Sequence, residues 1–151
     1  MIPTDPEANP DNYEGTKQVD HAPLQMPVHI SARVTLTKNL NKPGDFVNGM
    51  QATIVDVLQG GVLVRTKTNK MVMVYPWTDP ETRVVFYPMR LGYACTLHKT
   101  QGATCDHITI WLDVANVEAA AYVALSRVRK DAHWRFIGDP SVHHFTPASG
   151  W

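Results

Sequence analysis

The chain has 151 residues, 44% of them hydrophobic, enough for one ordinary domain with a real core, or one domain carrying a small insertion. Its 14 lysines and arginines balance its 14 aspartates and glutamates, so overall charge does not announce a nucleic-acid binder. Two cysteines, Cys95 and Cys105, lie far apart with no CxxC pair, which argues against a zinc site or a disulfide scaffold; no metal ligand set is expected. No apolar run is long enough to span a membrane, and the N-terminus has neither a signal-peptide pattern nor an arginine-rich one. A soluble, intracellular protein is expected, with the compartment left open.

Residues 1–27 carry five acids and one base, and five of the eleven prolines. Proline fixes φ, removes a donor and keeps the preceding residue out of the helical region. An extended or disordered leader is expected here. The remainder carries 13 basic and 9 acidic residues, a mildly basic body.

Val28 to Thr37 places Ile30, Ala32, Val34 and Leu36 on alternate positions, which predicts a strand. Asn41-Lys42-Pro43-Gly44 reads as a turn. Gln51 to Tyr75 reads as a β-meander, with strands over 53–58, 62–66 and 71–75 and turns at Gln59-Gly60-Gly61 and Lys67 to Lys70. Thr82 to Tyr87 supplies another strand. A lone meander is marginal, so it must close on itself or pack on a neighbour; an SH3-like barrel fits. Arg65, Lys67 and Lys70 cluster at one hairpin, where they suit either DNA phosphate or plain solvent.

Tyr93 to Leu97 reads as a short buried strand that opens into the polar run His98-Lys99-Thr100-Gln101 and then Gly102. Such a strand end is where α/β proteins place ligand chemistry, although an ordinary strand-to-helix turn has the same pattern. His107 to Leu112 is a second strand. Asn116 suits an N-cap, and Val117, Ala121, Ala124 and Val128 share one helical face. His133 to Ile137 is the last strand. This alternation of strand, helix and strand implies a parallel sheet.

His98-Lys99-Thr100-Gln101-Gly102 and Tyr122-Val123-Ala124-Leu125-Ser126-Arg127 together resemble motifs V and VI of superfamily 1 DNA helicases of the Pif/RecD-like branch. Upstream, Lys38-Asn39-Leu40, Phe46-Val47-Asn48-Gly49 and Pro88-Met89-Arg90-Leu91 follow that family's order, so the resemblance covers roughly residues 28 to 140. It implies an α/β fold: part of a RecA-like parallel sheet, the second lobe of such a helicase, formed by residues 28–45 and 88–140. A small SH3-like β-barrel is inserted at 46–87, and 141–151 is a tail.

The resemblance also implies roles. Arg127 is the arginine finger, the catalytic residue that reaches ATP, and a fixed guanidinium suits charge developing on a transferred phosphoryl group. A surface arginine near a helix C-terminus is the plainer alternative. Gln101 and Gly102 join Arg127 at ATP, while His98, Lys99 and Thr100 face DNA together with Lys67 and Lys70. Tyr93, Trp77 and Tyr87 are either base-stacking or core aromatics. Thr104 and Cys105 depart from the family's usual Thr-Leu pair, and Val128 replaces its usual alanine.

The sequence contains no GxxxxGK[ST] phosphate loop and no evident paired-acid strand end for Mg²⁺. The implied function is the C-terminal lobe of an ATP-dependent 5′-to-3′ DNA helicase, inactive alone. Its partners are single-stranded DNA and a first RecA-like lobe that holds most of the ATP and Mg²⁺. The alternative is a non-catalytic nucleic-acid-binding or regulatory module. A hydrolase built on His98 with Cys95 or Cys105 lacks any residue to orient the base.

Overall fold

In the computed structural model, residues 1–94, 105–112, 120–130, 133–138 and 145 are described. The chain divides into two units, Met1–Ala94 and Cys95–Trp151.

The first unit begins with a folded segment rather than the extended or disordered leader expected over 1–27. Strand β1 (Ile2–Thr4) pairs antiparallel with β4 (Leu24–Met26), and between them β2 (Tyr13–Glu14) and β3 (Lys17–Gln18) form a small hairpin. Two 3-10 turns, Pro6–Ala8 and Pro10–Asn12, follow β1. The prolines that argued for disorder start these turns, where a missing N–H costs nothing. The carboxylate of Asp5 and the side-chain oxygen of Asn9 cap them by accepting from Glu7 N–H and Asp11 N–H. Asn12 is buried and donates to the carbonyls of Pro6 and Ala22, both at 2.9 Å. Polar side chains, rather than apolar periodicity, order this segment.

The centre of the unit is a five-stranded antiparallel sheet. Its members are β5 (Arg33–Leu36), β6 (Gln51–Leu58), β7 (Gly61–Thr66) and β8 (Met71–Val74). A short pair, β9 (Trp77–Thr78) with β10 (Val85–Phe86), stands apart as its own two-stranded sheet, so the strand expected at 82–87 does not extend the meander. The fifth member is β11 (Met89–Leu91), and the order is β11-β5-β6-β7-β8. The meander matches the three strands expected. Arg33–Leu36 and Met89–Leu91, assigned from sequence to the RecA-like lobe, hydrogen-bond into the meander's own sheet.

The strand expected over 28–37 begins late. Ser31 adopts φ 70°, and Ala32 N–H turns back to the carbonyl of His29, so β5 starts at Arg33. Ile30, predicted to share a face with Val34 and Leu36, is 65% exposed. From Arg33 onward the alternation holds. Val34, Leu36, Ala52, Ile54, Val62, Val64, Val74 and Met89 enter one core with Met26 and Phe46. The expected burial of Tyr93 fails: it is 65% exposed beyond the end of β11, and Cys95–Leu97 lie outside the described residues.

In the second unit β12 (Ile108–Leu112) pairs in parallel with β13 (Trp134–Gly138), and α1 (Ala120–Leu125) lies between them in sequence. The expected strand, helix and strand with parallel pairing are therefore present. Ala121 and Ala124 are buried as predicted; Asn116 and Val117 lie outside the described residues. Cys105 is half-buried. No helix among the described residues is long and apolar enough to cross a membrane.

Candidate nucleic-acid interface

The β7–β8 hairpin turns at Thr66 to Lys70, with Asn69 at φ 68°. Thr66 N–H donates to the carbonyl of Lys70, and Lys70 N–H to the hydroxyl of Thr66. Lys70 does not point freely outward as a phosphate ligand would. Its Nζ donates to the carbonyl of Pro43 at 2.9 Å and to Asp45 Oδ1 at 3.3 Å. Thr66 and Thr68 hydroxyls donate to Asp45 Oδ2. The Thr68 hydrogen bond is the largest cause holding the Asp45 carboxyl below its ordinary pKa; Lys70 and Thr66 add to it, against desolvation. Lys70 thus ties the 41–46 turn to the hairpin.

Lys67, by contrast, is exposed, and its N–H donates to the carbonyl of Gln51. Arg65 is exposed on the outward face of β7. Sequence reasoning missed Arg33 and Arg90, which occupy outward positions of β5 and β11. The signal lay in the alternation: each follows or precedes a core residue, so each had to face out.

Trp77 is half-buried and packs edge-on against buried Phe86, centroids 5.4 Å apart, with Lys38 Nζ 5.1 Å over its ring. That is a packing role for the aromatic. Tyr87 is half-buried against the core, whereas the exposed Tyr93 accepts a hydrogen bond from Arg33 N–H through its hydroxyl.

In the second unit Arg127 lies two residues beyond the end of α1. Its N–H donates to the carbonyl of Ala124 at 3.1 Å, and its own carbonyl accepts from Cys105 N–H at 2.6 Å. Cys105 and Val128 form a parallel bridge beside it. Both backbone groups of Arg127 are therefore fixed. Its side-chain Nε is buried with no hydrogen-bond partner among the described residues. Buried guanidinium nitrogens are ordinarily satisfied, so this one has capacity for an anion. His98, Lys99, Thr100, Gln101 and Gly102 lie outside the described residues.

No protein-family model matches the sequence. The chain is 35% identical over 118 residues to the ATP-dependent DNA helicase Pif1 of Bdellovibrio bacteriovorus, covering 66% of this chain and 26% of that protein. It is 30% identical over 134 residues to the ATP-dependent DNA helicase PIF1 of Homo sapiens, covering 77% of this chain and 21% of that protein. Against a solved structure of two coordinating Pif1 helicases unwinding forked double-stranded DNA, the TM-score is 0.69 at 25% identity, over 80% of this chain and 30% of that one. Against Bacteroides Pif1 with ADP-AlF3 and single-stranded DNA the TM-score is 0.70 at 20% identity, over 90% of this chain and 34% of that one, a likeness of fold. The chain thus spans about a quarter of the length of these curated relatives. With its ordered motifs, its parallel β12–α1–β13 unit and these relatives, the chain belongs to the Pif1-like DNA helicases and corresponds to a part of them.

Proposed function

We propose that the chain is the C-terminal lobe of an ATP-dependent 5′-to-3′ DNA helicase, with the antiparallel sheet of the first unit as its SH3-like insertion. Arg127 is its arginine finger, completing a nucleotide site whose other half belongs to a first RecA-like lobe. The observation that carries this reading is Arg127 itself. Its backbone is fixed at both ends, it lies two residues beyond the helix of a parallel βαβ unit, and its Nε is buried without a partner among the described residues. A guanidinium held in this way stays charged and offers two parallel donors to phosphate oxygens. ATP with Mg²⁺ supplies the phosphoryl group and its charge, held mainly by the other lobe, with Gln101 and Gly102 beside Arg127 on this one. Solved Pif1 structures of the same fold are bound to single-stranded DNA and to ADP-AlF3, which is in keeping with a lobe that meets both ligands. His98, Lys99 and Thr100 are assigned to the DNA strand, as is Lys67. Lys70 is withdrawn from that set, because Asp45 and Pro43 occupy it.

The test supplies a Pif1-type first lobe in trans and measures ATP turnover with single-stranded DNA. The full chain alone should give none. The mixture should turn over, and Arg127→Ala should lower kcat by roughly 10³-fold or more, within the range for such fingers, while DNA binding is retained. Turnover by the chain alone, or an Arg127→Ala mixture as active as the parent, would overturn the assignment in favour of a non-catalytic binding module.

A further inference from the structure

The start of the chain and β11 run together for a short distance and then part. Tyr87 N–H donates to the carbonyl of Pro3 at 2.8 Å, Thr4 bridges Tyr87 in parallel, and Asp5 N–H reaches the carbonyl of Met89 at 3.5 Å. Beyond Asp5 the chain turns off into the 3-10 turn Pro6–Ala8, while β11 continues through Arg90 and Leu91. Between the two, with β4 as a third side, lies a cavity of about 340 Å³. That is at the lower end of the roughly 300–1,000 Å³ that small-molecule sites occupy.

Ala8, Leu24, Met26 and Leu91 give the cavity apolar walls. The Thr4 hydroxyl, also in the lining, already donates to the carbonyl of Leu24 at 2.9 Å. Two charged side chains line the same space, Arg90 from β11 and Glu7 from the 3-10 turn. Arg90 Nε is buried and has no hydrogen-bond partner among the described residues. Buried guanidinium nitrogens are ordinarily satisfied, and a bare one is costly. Glu7 is exposed and meets the cavity at its solvent rim.

These opposite charges share a cavity and do not meet. The one ion pair among the described residues is Lys70 with Asp45, so the Arg90 guanidinium and the Glu7 carboxylate stand more than 4.0 Å apart. The backbone beneath each is fixed from its own side. Register sets Arg90 opposite Thr35, between Met89 opposite Leu36 and Leu91 opposite Val34. Glu7 sits in a turn that Pro6 starts and Asp5 caps, the Asp5 carboxylate accepting from Glu7 N–H at 3.0 Å. A donor fork and a carboxylate therefore face one apolar space from opposite walls.

We propose that this cavity binds a small apolar α-amino acid. Its carboxylate accepts from the Arg90 guanidinium, Nε included, in the planar geometry that suits arginine and a carboxylate. Its ammonium faces Glu7, and its side chain lies against Leu24, Met26 and Leu91. Water satisfies Arg90 Nε as well but leaves the apolar walls wet. A purely anionic ligand, such as phosphate, meets Glu7 with like charge and gains nothing from those walls. A bound amino acid ties the 3-10 turn to β11 where their backbones have parted, and so holds the first 27 residues against the sheet. The site needs neither ATP nor DNA, so it and the helicase reading stand or fall separately.

The test titrates the isotope-labelled full chain with leucine and follows its amide signals by NMR. The amides of Glu7, Ala8, Arg90 and Leu91 should shift and saturate. Leucinamide, which lacks the carboxylate, should bind about 10- to 100-fold more weakly, and Arg90→Gln should weaken leucine by the same factor. Isocaproate, which lacks the ammonium, should bind about 2- to 5-fold more weakly than leucine, because Glu7 is exposed. Glu7→Gln should bring leucine down to the isocaproate level and leave isocaproate no weaker than in the parent. Both variants without ligand should keep the parent spectrum away from the substituted residue, which separates lost binding from lost folding. If inorganic phosphate shifts the same amides as strongly as leucine, the site is an unselective anion pocket and the amino-acid assignment is overturned. If leucine at its solubility limit shifts none of these amides, or both variants bind it as the parent does, the cavity is not an amino-acid site.

Discussion

Lys70 Nζ lies 3.3 Å from Asp45 Oδ1, joining a hairpin turn to a loop 25 residues away in sequence. Asp45 holds a positive φ of 65° there, an uncommon conformation outside glycine that a short polar side chain tolerates when it is hydrogen-bonded. The clasp is more a hydrogen-bond network than an ion pair, since Lys70 is half exposed and its attraction is screened.

The clasp makes stability depend on acid. The folded-state pKa of Asp45 is depressed below its ordinary 3.8. A depressed carboxyl contributes stability that is present above the ordinary value and is lost as pH falls through the folded one. Asp45→Asn should therefore lower Tm at neutral pH and flatten its dependence below about pH 4. Thermal melts of parent and variant from pH 2 to 7 check both effects. Parallel curves for the two proteins would remove Asp45 from the account.

Asn12 should be the residue that keeps the first 27 residues folded. It is 1% exposed and satisfies two carbonyls and, at 3.4 Å, the amide of Asn9. Asn12→Ala removes these three hydrogen bonds, each worth about 0.5–1.5 kcal/mol net, while Asn9 still donates to both carbonyls. The loss should be local. Limited proteolysis should cut within 1–27 before it cuts the five-stranded sheet, whereas the parent should resist at both places.

How much of this was legible in the sequence follows from what each element depends on. The meander and the β12–α1–β13 unit were readable because period-two and helical apolar patterns dictate which side of a strand or helix is buried. The folded start was not, because Asp5, Asn9 and Asn12 order it through specific hydrogen bonds that leave no periodic trace. The membership of β5 and β11 in the meander's sheet was hidden for another reason: pairing partners 53 residues apart are set by register, as Leu36 with Met89. Arg127 is assigned through its motif alone, and the outward positions of Arg33 and Arg90 follow only once the strands are paired.

Ile30 and Leu36 test where the alternation of the first long strand begins. Both sit on the same parity in sequence, yet Leu36 is fully buried and Ile30 largely exposed. Leu36→Ala should cost about 2–5 kcal/mol through lost burial and a residual cavity. Ile30→Ala should change stability by no more than about 0.5 kcal/mol. Urea denaturation of the two variants separates these outcomes, and similar losses at both positions would place Ile30 in the core.

Gly92 is the position where the sheet tolerates no side chain. Its N–H donates to the carbonyl of Arg33 at 2.8 Å, which closes the β11–β5 pairing. A Cβ built on Gly92 would stand 2.9 Å from the carbonyl carbon of Val34, 3.0 Å from its oxygen and 3.1 Å from its nitrogen. These are backbone atoms of a strand paired on both sides, so they cannot swing away as a flexible side chain would. Gly92→Ala must therefore part β11 from β5 or distort β5 against β6, at about 1–3 kcal/mol for an overpacked contact. The same displacement would move Arg90 relative to Arg33. Hydrogen exchange is the direct check: in Gly92→Ala the amides of Leu36 and Thr37, which face Met50 and Pro88 across the flanking elements, should lose protection before those of β7 and β8. Unchanged protection and an unchanged melt would mean that β5 yields to a methyl group without cost, and the close approach at Gly92 would then have no structural role.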